Sequence, residues 1–232
     1  MRSPTVITDL AIPAIGVTLL GDLVVPSKAD GLVLLAHASD RHRCAHRSVA
    51  QQLNDADLAT LLFDLLTSDE DLIDHVRGDL RFNIDLLGAR LVAALDWAAG
   101  EPACAGLPLG CFGTSTGAAA VLQAAARRPQ LVRAVVSHGG RPDLLSDLDL
   151  ARVRVPSMFI VGELDNEVLE LNHQAMATMS APVQLEIVPA AGHLFEEPEA
   201  LQRMAELASA WFAKYLSGRV PDVHKTGKKS EK

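Results

Sequence analysis

A chain of 232 residues that is 49% hydrophobic and 22% charged has the length and balance of one large folded, soluble domain, which excludes a disordered or fibrous polymer. Its 21 basic side chains against 29 acidic ones give a net charge of -8, which repels phosphate backbones and anionic lipid, so no nucleic acid and no membrane partner is expected. No apolar run reaches the roughly eighteen residues that a membrane helix needs, and the N-terminal MRSPTVITDL lacks a secretion signal's apolar stretch, so the mature chain is expected to start near Met1.

In chain order, residues 14 to 25, AIGVTLLGDLVV, alternate loosely about Gly21-Asp22 and predict an antiparallel hairpin at a sheet edge, turning at that dipeptide. From Gly31 the pattern changes to short, continuously apolar runs: GLVLLA, then LATLLF from Leu58, LPLGCF from Leu107, LVRAVV from Leu131, PSMFIV from Pro156 and VQLEIV from Val183. Strands buried on both faces read in this way. Helical spacing occupies the intervals Val49 to Asp55, Asn83 to Ala99, Ser115 to Arg128, Glu167 to Met179 and Pro198 to Leu216. The acidic stretch TSDEDLIDHVRGD, 67 to 79, reads as a solvated connection, with a mobile lip over a site as its functional alternative.

Strand and helix therefore alternate, which predicts right-handed crossovers and an α/β fold: a doubly wound, mostly parallel sheet with helices on both faces. With no repeat or linker before Ser217, residues 1–216 read as a single domain. Residues 217–232, carrying Lys225, Lys228, Lys229 and Lys232, read as a basic, solubilising, disordered tail. Three cysteines, Cys44, Cys104 and Cys111, show no CxxC spacing and fit a reducing, cytoplasmic setting.

In such a sheet, ligands meet the protein at the carboxyl ends of the strands. The stretch CFGTSTGAAA lies at such an end, where an apolar run gives way to an alanine-rich helix. A strand that passes almost at once into a helix forces a strained conformation on the residue between them, and neighbours with side chains would clash. Gly113 and Gly117 relieve that crowding and leave Ser115 exposed at the tip, the G-x-S-x-G nucleophile elbow. Two later stretches match its needs. The strand MFIV runs into GELD, offering Asp165 with Glu163 and Glu167 as rivals, and VQLEIV runs into PAAGHLF, which carries His193 just before the last helix. Glu196 and Glu197 read as first-turn acids favoured by the helix dipole.

With these three matches the sequence resembles the α/β-hydrolase superfamily, and within it the small dienelactone-hydrolase-like hydrolases, over roughly residues 14 to 216. The resemblance implies a triad in the order Ser115, Asp165, His193. It also implies an oxyanion hole built from the backbone N–H of Thr116 and of Ala38, in the stretch LLAHASD. Relatives place His-Gly where this chain has His37-Ala38. Glycine adopts positive φ freely and alanine only with strain, so a loop that needed that conformation would aim the Ala38 N–H poorly, and Asp40 would add an opposing charge. The namesake enzymes use a cysteine where this chain has Ser115, so their lactone specificity does not carry over.

His37 reads as structural, its ring bonded to loop carbonyls, with a place on the pocket rim as the alternative. His138 and Arg141, in SHGGRPD after another strand, are candidate rim residues or a polar glycine turn. His42 and His46 read as surface residues, with no spacing that demands a metal. The expected activity is hydrolysis of a small-molecule acyl substrate, an ester, lactone or thioester, through an acyl-enzyme and with no cofactor or metal. About twenty residues separate Val136 from Pro156, which leaves little room for a cap over the site. A peptidase, and a hydrolase-fold binding or scaffold protein without catalysis, are the alternative readings; oligomeric state is left open.

Overall fold

The structure, a computed structural model, describes residues 4–38, 43–193 and 195–217. Eight strands form one sheet: β1 (Thr5–Ala14), β2 (Val17–Val25), β3 (Gly31–His37), β4 (Leu58–Asp64), β5 (Leu109–Thr114), β6 (Val132–His138), β7 (Ser157–Gly162) and β8 (Val183–Val188). Their spatial order is β1-β2-β4-β3-β5-β6-β7-β8. Strands β1 and β2 pair antiparallel with each other and β2 pairs antiparallel with β4, while every other neighbouring pair is parallel. The expected mostly parallel, doubly wound sheet is present, and each long apolar run became a strand.

Alternation along the central strands sorts the core into two layers. Leu32 and Leu34 of β3 face one layer with Leu61, Phe63, Cys111 and Phe159. Val33 and Leu35 face the other with Phe112, Val136, Met158 and Ile160. Helices α3 (Ile84–Gly100) and α4 (Thr116–Arg127) close the first layer, and α1 (Arg43–Asp55) and α7 (Pro198–Leu216) close the second. Since both faces are covered, β3 is buried along its whole length, which is why it reads as an unbroken apolar run. Between β6 and β7 the chain makes only one 3-10 turn and the six-residue α5 (Asp147–Arg152) before β7 and α6 (Asn166–Thr178), so among the described residues no large cap covers the strand ends.

Two readings need correction. The first hairpin turns at Ile15-Gly16, not at Gly21-Asp22. Gly16 has φ 72°, and Ala14 pairs with Val17 across the turn. Gly21 lies within β2, where a Cβ would press to 3.1 Å from both Ile12 and Phe63. The dipeptide thus reflects crowding between β1 and β4 and has no turn to make. The acidic stretch 67–79, expected as a solvated connection, is solvated but helical: it carries α2 (Ser68–Arg77), whose Leu72, Ile73 and Val76 face solvent.

Helix α2 is held by its ends rather than by an apolar face. Thr67 and Glu70 form a reciprocal capping box, with Glu70 N–H donating to Thr67 Oγ1 and Thr67 N–H to Glu70 Oε2. Arg90 of α3 then grips both Glu70 oxygens at 2.6 Å and also donates to the Leu65 carbonyl. The Arg90 guanidinium holds the Glu70 carboxyl down at about 2, against an ordinary value of 4.5. A depressed acid stabilises the fold above its unfolded pKa, and that contribution is lost as the pH falls through the folded one. Glu70→Gln is therefore expected to lower the urea midpoint at pH 7 and to flatten the fall in stability between about pH 4.5 and about pH 2. Equal acid arms in the two proteins would show that the pair contributes nothing.

Candidate active site

Strand β5 ends at Thr114 and α4 begins at Thr116, so Ser115 alone makes the turn, with φ 53° and ψ -120°. A non-glycine residue in that region costs on the order of 1–3 kcal/mol, and three backbone bonds hold it there. Ser115 N–H donates to the His138 carbonyl at 3.0 Å, and the Ser115 carbonyl accepts from Arg141 N–H at 3.2 Å and Ala118 N–H at 3.1 Å. The bracketing glycines follow from the same close approach. A Cβ at Gly113 would lie 2.5 Å from the Gly117 carbonyl oxygen, and one at Gly117 would lie 3.0 Å from the Ala36 carbonyl oxygen. Ser115 itself is half-buried at the turn's tip.

Two loops bring the acid and the imidazole together. Asp165 stands just before α6, yet its side chain makes no cap bond to that helix. Its Oδ2 instead lies 2.6 Å from Nδ1 of His193. A carboxylate only accepts, so this contact places the ring proton on Nδ1 and leaves Nε2 as the basic nitrogen. The Asp165 side chain is 13% exposed and that of His193 38%, so the carboxylate is sheltered while the ring reaches solvent.

The histidine loop is held from below and behind. Leu164 N–H donates to the Ala191 carbonyl, and Ala190 N–H, at a residue with φ 57°, donates to Glu163 Oε2 at 2.9 Å. Glu163 therefore braces the loop backbone, while Asp165 holds the ring. Gly162 carries no side chain because a Cβ there would meet the Ala191 and Gly192 carbonyls. Gly139, with φ 49°, packs under His193, where a Cβ would lie 3.5 Å from Cε1 of the ring. Gly139 follows the residue whose carbonyl holds Ser115, so the imidazole sits over the same support as the elbow. Glu196 and Glu197 are exposed at the start of α7.

The first strand of the parallel set supplies the remaining backbone. Ala38 N lies 3.8 Å from where a Gly117 Cβ would stand, which puts it beside the first turn of α4 and next to Thr116. Among the described residues, positive φ without glycine occurs at Asp9, Asp57, Ser115, Ala190 and Phe195, and Ala38 is not one of them. Ala38 therefore carries no positive-φ strain, contrary to what a loop needing that conformation would impose; Asp40 lies outside the described residues.

Three histidine readings change. His37 and His138 are 3% and 4% exposed, beneath the site rather than on a rim. His37 Nδ1 lies 3.3 Å from Asp64 Oδ1, a close side-chain contact without hydrogen-bond alignment, and among the described residues the expected loop carbonyls do not bond its ring. His46, expected at the surface, is 1% exposed, because α1 buries the face formed by His46, Val49, Ala50 and Leu53. That i, i+3, i+4, i+7 spacing was legible, and the polar RHRCAHR around His46 concealed it. His42 lies outside the described residues. Arg141 is partly exposed and paired with Asp143, which faces its guanidinium at 2.7 and 2.8 Å. Among the described residues no group of three metal-ligating side chains converges, and no helix is long and apolar enough to cross a membrane.

Comparison with known proteins agrees with this fold. Residues 48–216 match the Dienelactone hydrolase family. A Mycobacterium tuberculosis protein named "Putative phosphoribosyl transferase" is 48% identical over 207 residues, covering 88% of this chain but only 46% of that protein. This chain thus spans about half the length of the curated relatives it matches. A dienelactone hydrolase from Anabaena variabilis superposes with a TM-score of 0.88 at 46% identity, covering 93% of this chain and all of the other. A dienelactone hydrolase-like promiscuous phosphotriesterase from metagenomic libraries, 17% identical with a TM-score of 0.75 over 92% of this chain and 99% of that one, shares the fold.

The 2.6 Å contact should deshield the His193 Nδ1 proton strongly. A far-downfield proton resonance is expected in cold aqueous buffer, lost in Asp165→Asn and kept in Glu163→Gln. Its persistence in Asp165→Asn would move the ring's partner elsewhere.

Proposed function

Because the chain belongs to the dienelactone hydrolase family, we propose that it is a serine hydrolase of the carboxylic-ester class, with Ser115 as nucleophile, His193 as base and Asp165 as the acid that orients it. The observation that carries this reading is the Asp165–His193 bond, formed beside a strained serine turn. His193 Nε2 takes the Ser115 hydroxyl proton as Oγ bonds to the substrate carbonyl carbon. The proton then passes to the leaving alcohol as the C–O bond breaks, which leaves an acyl-enzyme. Water repeats the sequence: its proton goes to His193, its oxygen bonds to the acyl carbon, and Ser115 recovers its hydrogen as the acid departs.

The oxyanion that forms in each half has two donors within reach, the N–H of Thr116 at the start of α4 and the N–H of Ala38. Thr116 adds the positive end of its helix. The ordinary φ of Ala38 supports a loop that needs no glycine. With only a 3-10 turn and a short helix between β6 and β7, the strand ends stay open, which favours a small acyl substrate, as ester, lactone or thioester, over a long lipid. Neither nucleic acid nor a membrane suits a chain of net charge -8. The buried thiols Cys104 and Cys111 are pushed by burial up to about 11 and about 12, so they are inert, and Cys111, immediately inside β5, is no substitute nucleophile. We place the protein in a reducing, cytoplasmic setting.

Ser115→Ala tests the assignment. It should fold, lose all labelling by a fluorophosphonate probe and fall by several orders of magnitude in turnover of a small activated ester. Wild-type turnover in Ser115→Ala would remove Ser115 from the mechanism.

A further inference from the structure

Beneath the site a row of buried polar side chains crosses the ends of four adjacent parallel strands. His37 of β3 is in register with Asp64 of β4, and Thr114 of β5 is in register with His138 of β6. His37 and Thr114 each follow the last paired residues of β3 and β5, Ala36 and Gly113. His46 reaches in from α1 and joins the two halves. Its ring lies 3.7 Å from that of His37, centre to centre, and its Nε2 lies 2.7 Å from Thr114 Oγ1. Thr114 Oγ1 is in turn 3.4 Å from His138 Nδ1, and the His138 ring packs edge-on against Phe195 at 4.4 Å.

Three members of the row, His37, Thr114 and His138, adjoin a backbone group of the proposed site. His37 precedes Ala38 and Thr114 precedes Ser115. The His138 carbonyl accepts the Ser115 N–H, and Phe195 lies two residues past His193. His37, His46, Thr114 and His138 are at most 8% exposed, in a layer whose apolar members include Val33, Leu35, Phe112 and Val136. Apolar side chains would fill that space without the cost of removing imidazoles and a hydroxyl from water. What a directional bond adds there is a fixed distance and angle.

We propose that His46 is a positioning residue for the hydrolase reaction: through its bond to Thr114 and its close ring contact with His37 it locks the Ser115 elbow against the Ala38 strand end. The two oxyanion donors, Thr116 and Ala38, sit on opposite sides of this lock. Loosening it misaligns donors whose interaction strengthens only as charge develops on the substrate oxygen, so kcat falls while KM holds. The proposal rests on the serine-hydrolase reading and adds residues to it from outside the triad.

The test uses the full chain and a small activated ester, with active sites counted by fluorophosphonate titration so that misfolded protein drops out of the rate. His46→Phe keeps a ring beside His37 and Phe112 but removes the bond to Thr114. Thr114→Val removes the same bond from its other end with almost no change of shape. Both are expected to lose about 10- to 100-fold in kcat per titrated serine, with KM within threefold, the loss of an aligned oxyanion donor being worth up to about 10² to 10³. The double variant should lose less than the product of the two single losses, because the His46–Thr114 bond is removed by either change, while Thr114→Val alone also removes the longer contact to His138. His46→Gln, whose amide can reach Thr114, should recover most of the rate. Unchanged kcat per titrated serine in either folded single variant, multiplying losses in the double variant, or His46→Gln as slow as His46→Phe would each overturn the proposal. If His46→Phe shows no cooperative unfolding transition, Thr114→Val alone decides. Full turnover by Ser115→Ala would sink the underlying hydrolase reading and this proposal together, whereas an inactive Ser115→Ala beside normal His46 and Thr114 variants sinks only the proposal.

Discussion

The turn at Ser115 sets the terms for the rest of the molecule. One residue with left-handed φ must carry the chain from β5 into α4, and such a conformation persists only where surrounding structure over-determines it. The supports come from three directions: the His138 carbonyl takes the Ser115 N–H, the Arg141 and Ala118 N–H groups take its carbonyl, and the absence of side chains at Gly113 and Gly117 lets α4 close onto the sheet. Central strands buried on both faces supply the rigidity these contacts need.

From that constraint the position of the other groups follows. The β6 end that holds Ser115 continues into Gly139, and His193 lies over it. The β7 end delivers Asp165, whose neighbour Glu163 braces the Ala190 backbone so that the ring approaches Asp165 at the right depth. Below them the polar row from Asp64 to His138 ties four strand ends and α1 into one layer. Of the five non-glycine residues with positive φ among the described residues, three, Ser115, Ala190 and Phe195, lie in the segments that meet at the site.

Much of this was legible before any coordinates. Continuous apolar runs mark strands, buried on both faces at the centre of the sheet as in β3, whereas β8, expected to be buried in the same way, is a partly exposed edge strand; β8 and α7 end where their sequence patterns end. The elbow was readable because steric crowding leaves a spacing of glycines about Ser115, and Asp165 and His193 because each follows a strand at the same sheet edge. Other features carry weaker signals. Gly21-Asp22 looks like a turn because glycine marks close packing as well as turns. Helix α2 was hidden because it exposes Leu72, Ile73 and Val76 and relies on the Thr67–Glu70 box, itself visible as T-x-x-E, and on Arg90, twenty residues away. The burial of His46 depends on which face α1 presents, and a run rich in Arg and His conceals that face. The partnership of His37 with Asp64 is a matter of strand register, which a linear sequence does not display.

The central claim is that Ser115 carries the acyl group during turnover. Rapid quenching in acid of the protein mixed with excess activated ester, followed by peptide mass mapping, tests it most directly. The account predicts an acyl adduct on the peptide containing Ser115, formed within one turnover and lost on dilution into substrate-free buffer at neutral pH. An adduct confined to another residue, or turnover with no adduct at any quench time and with Ser115 free throughout, would contradict it.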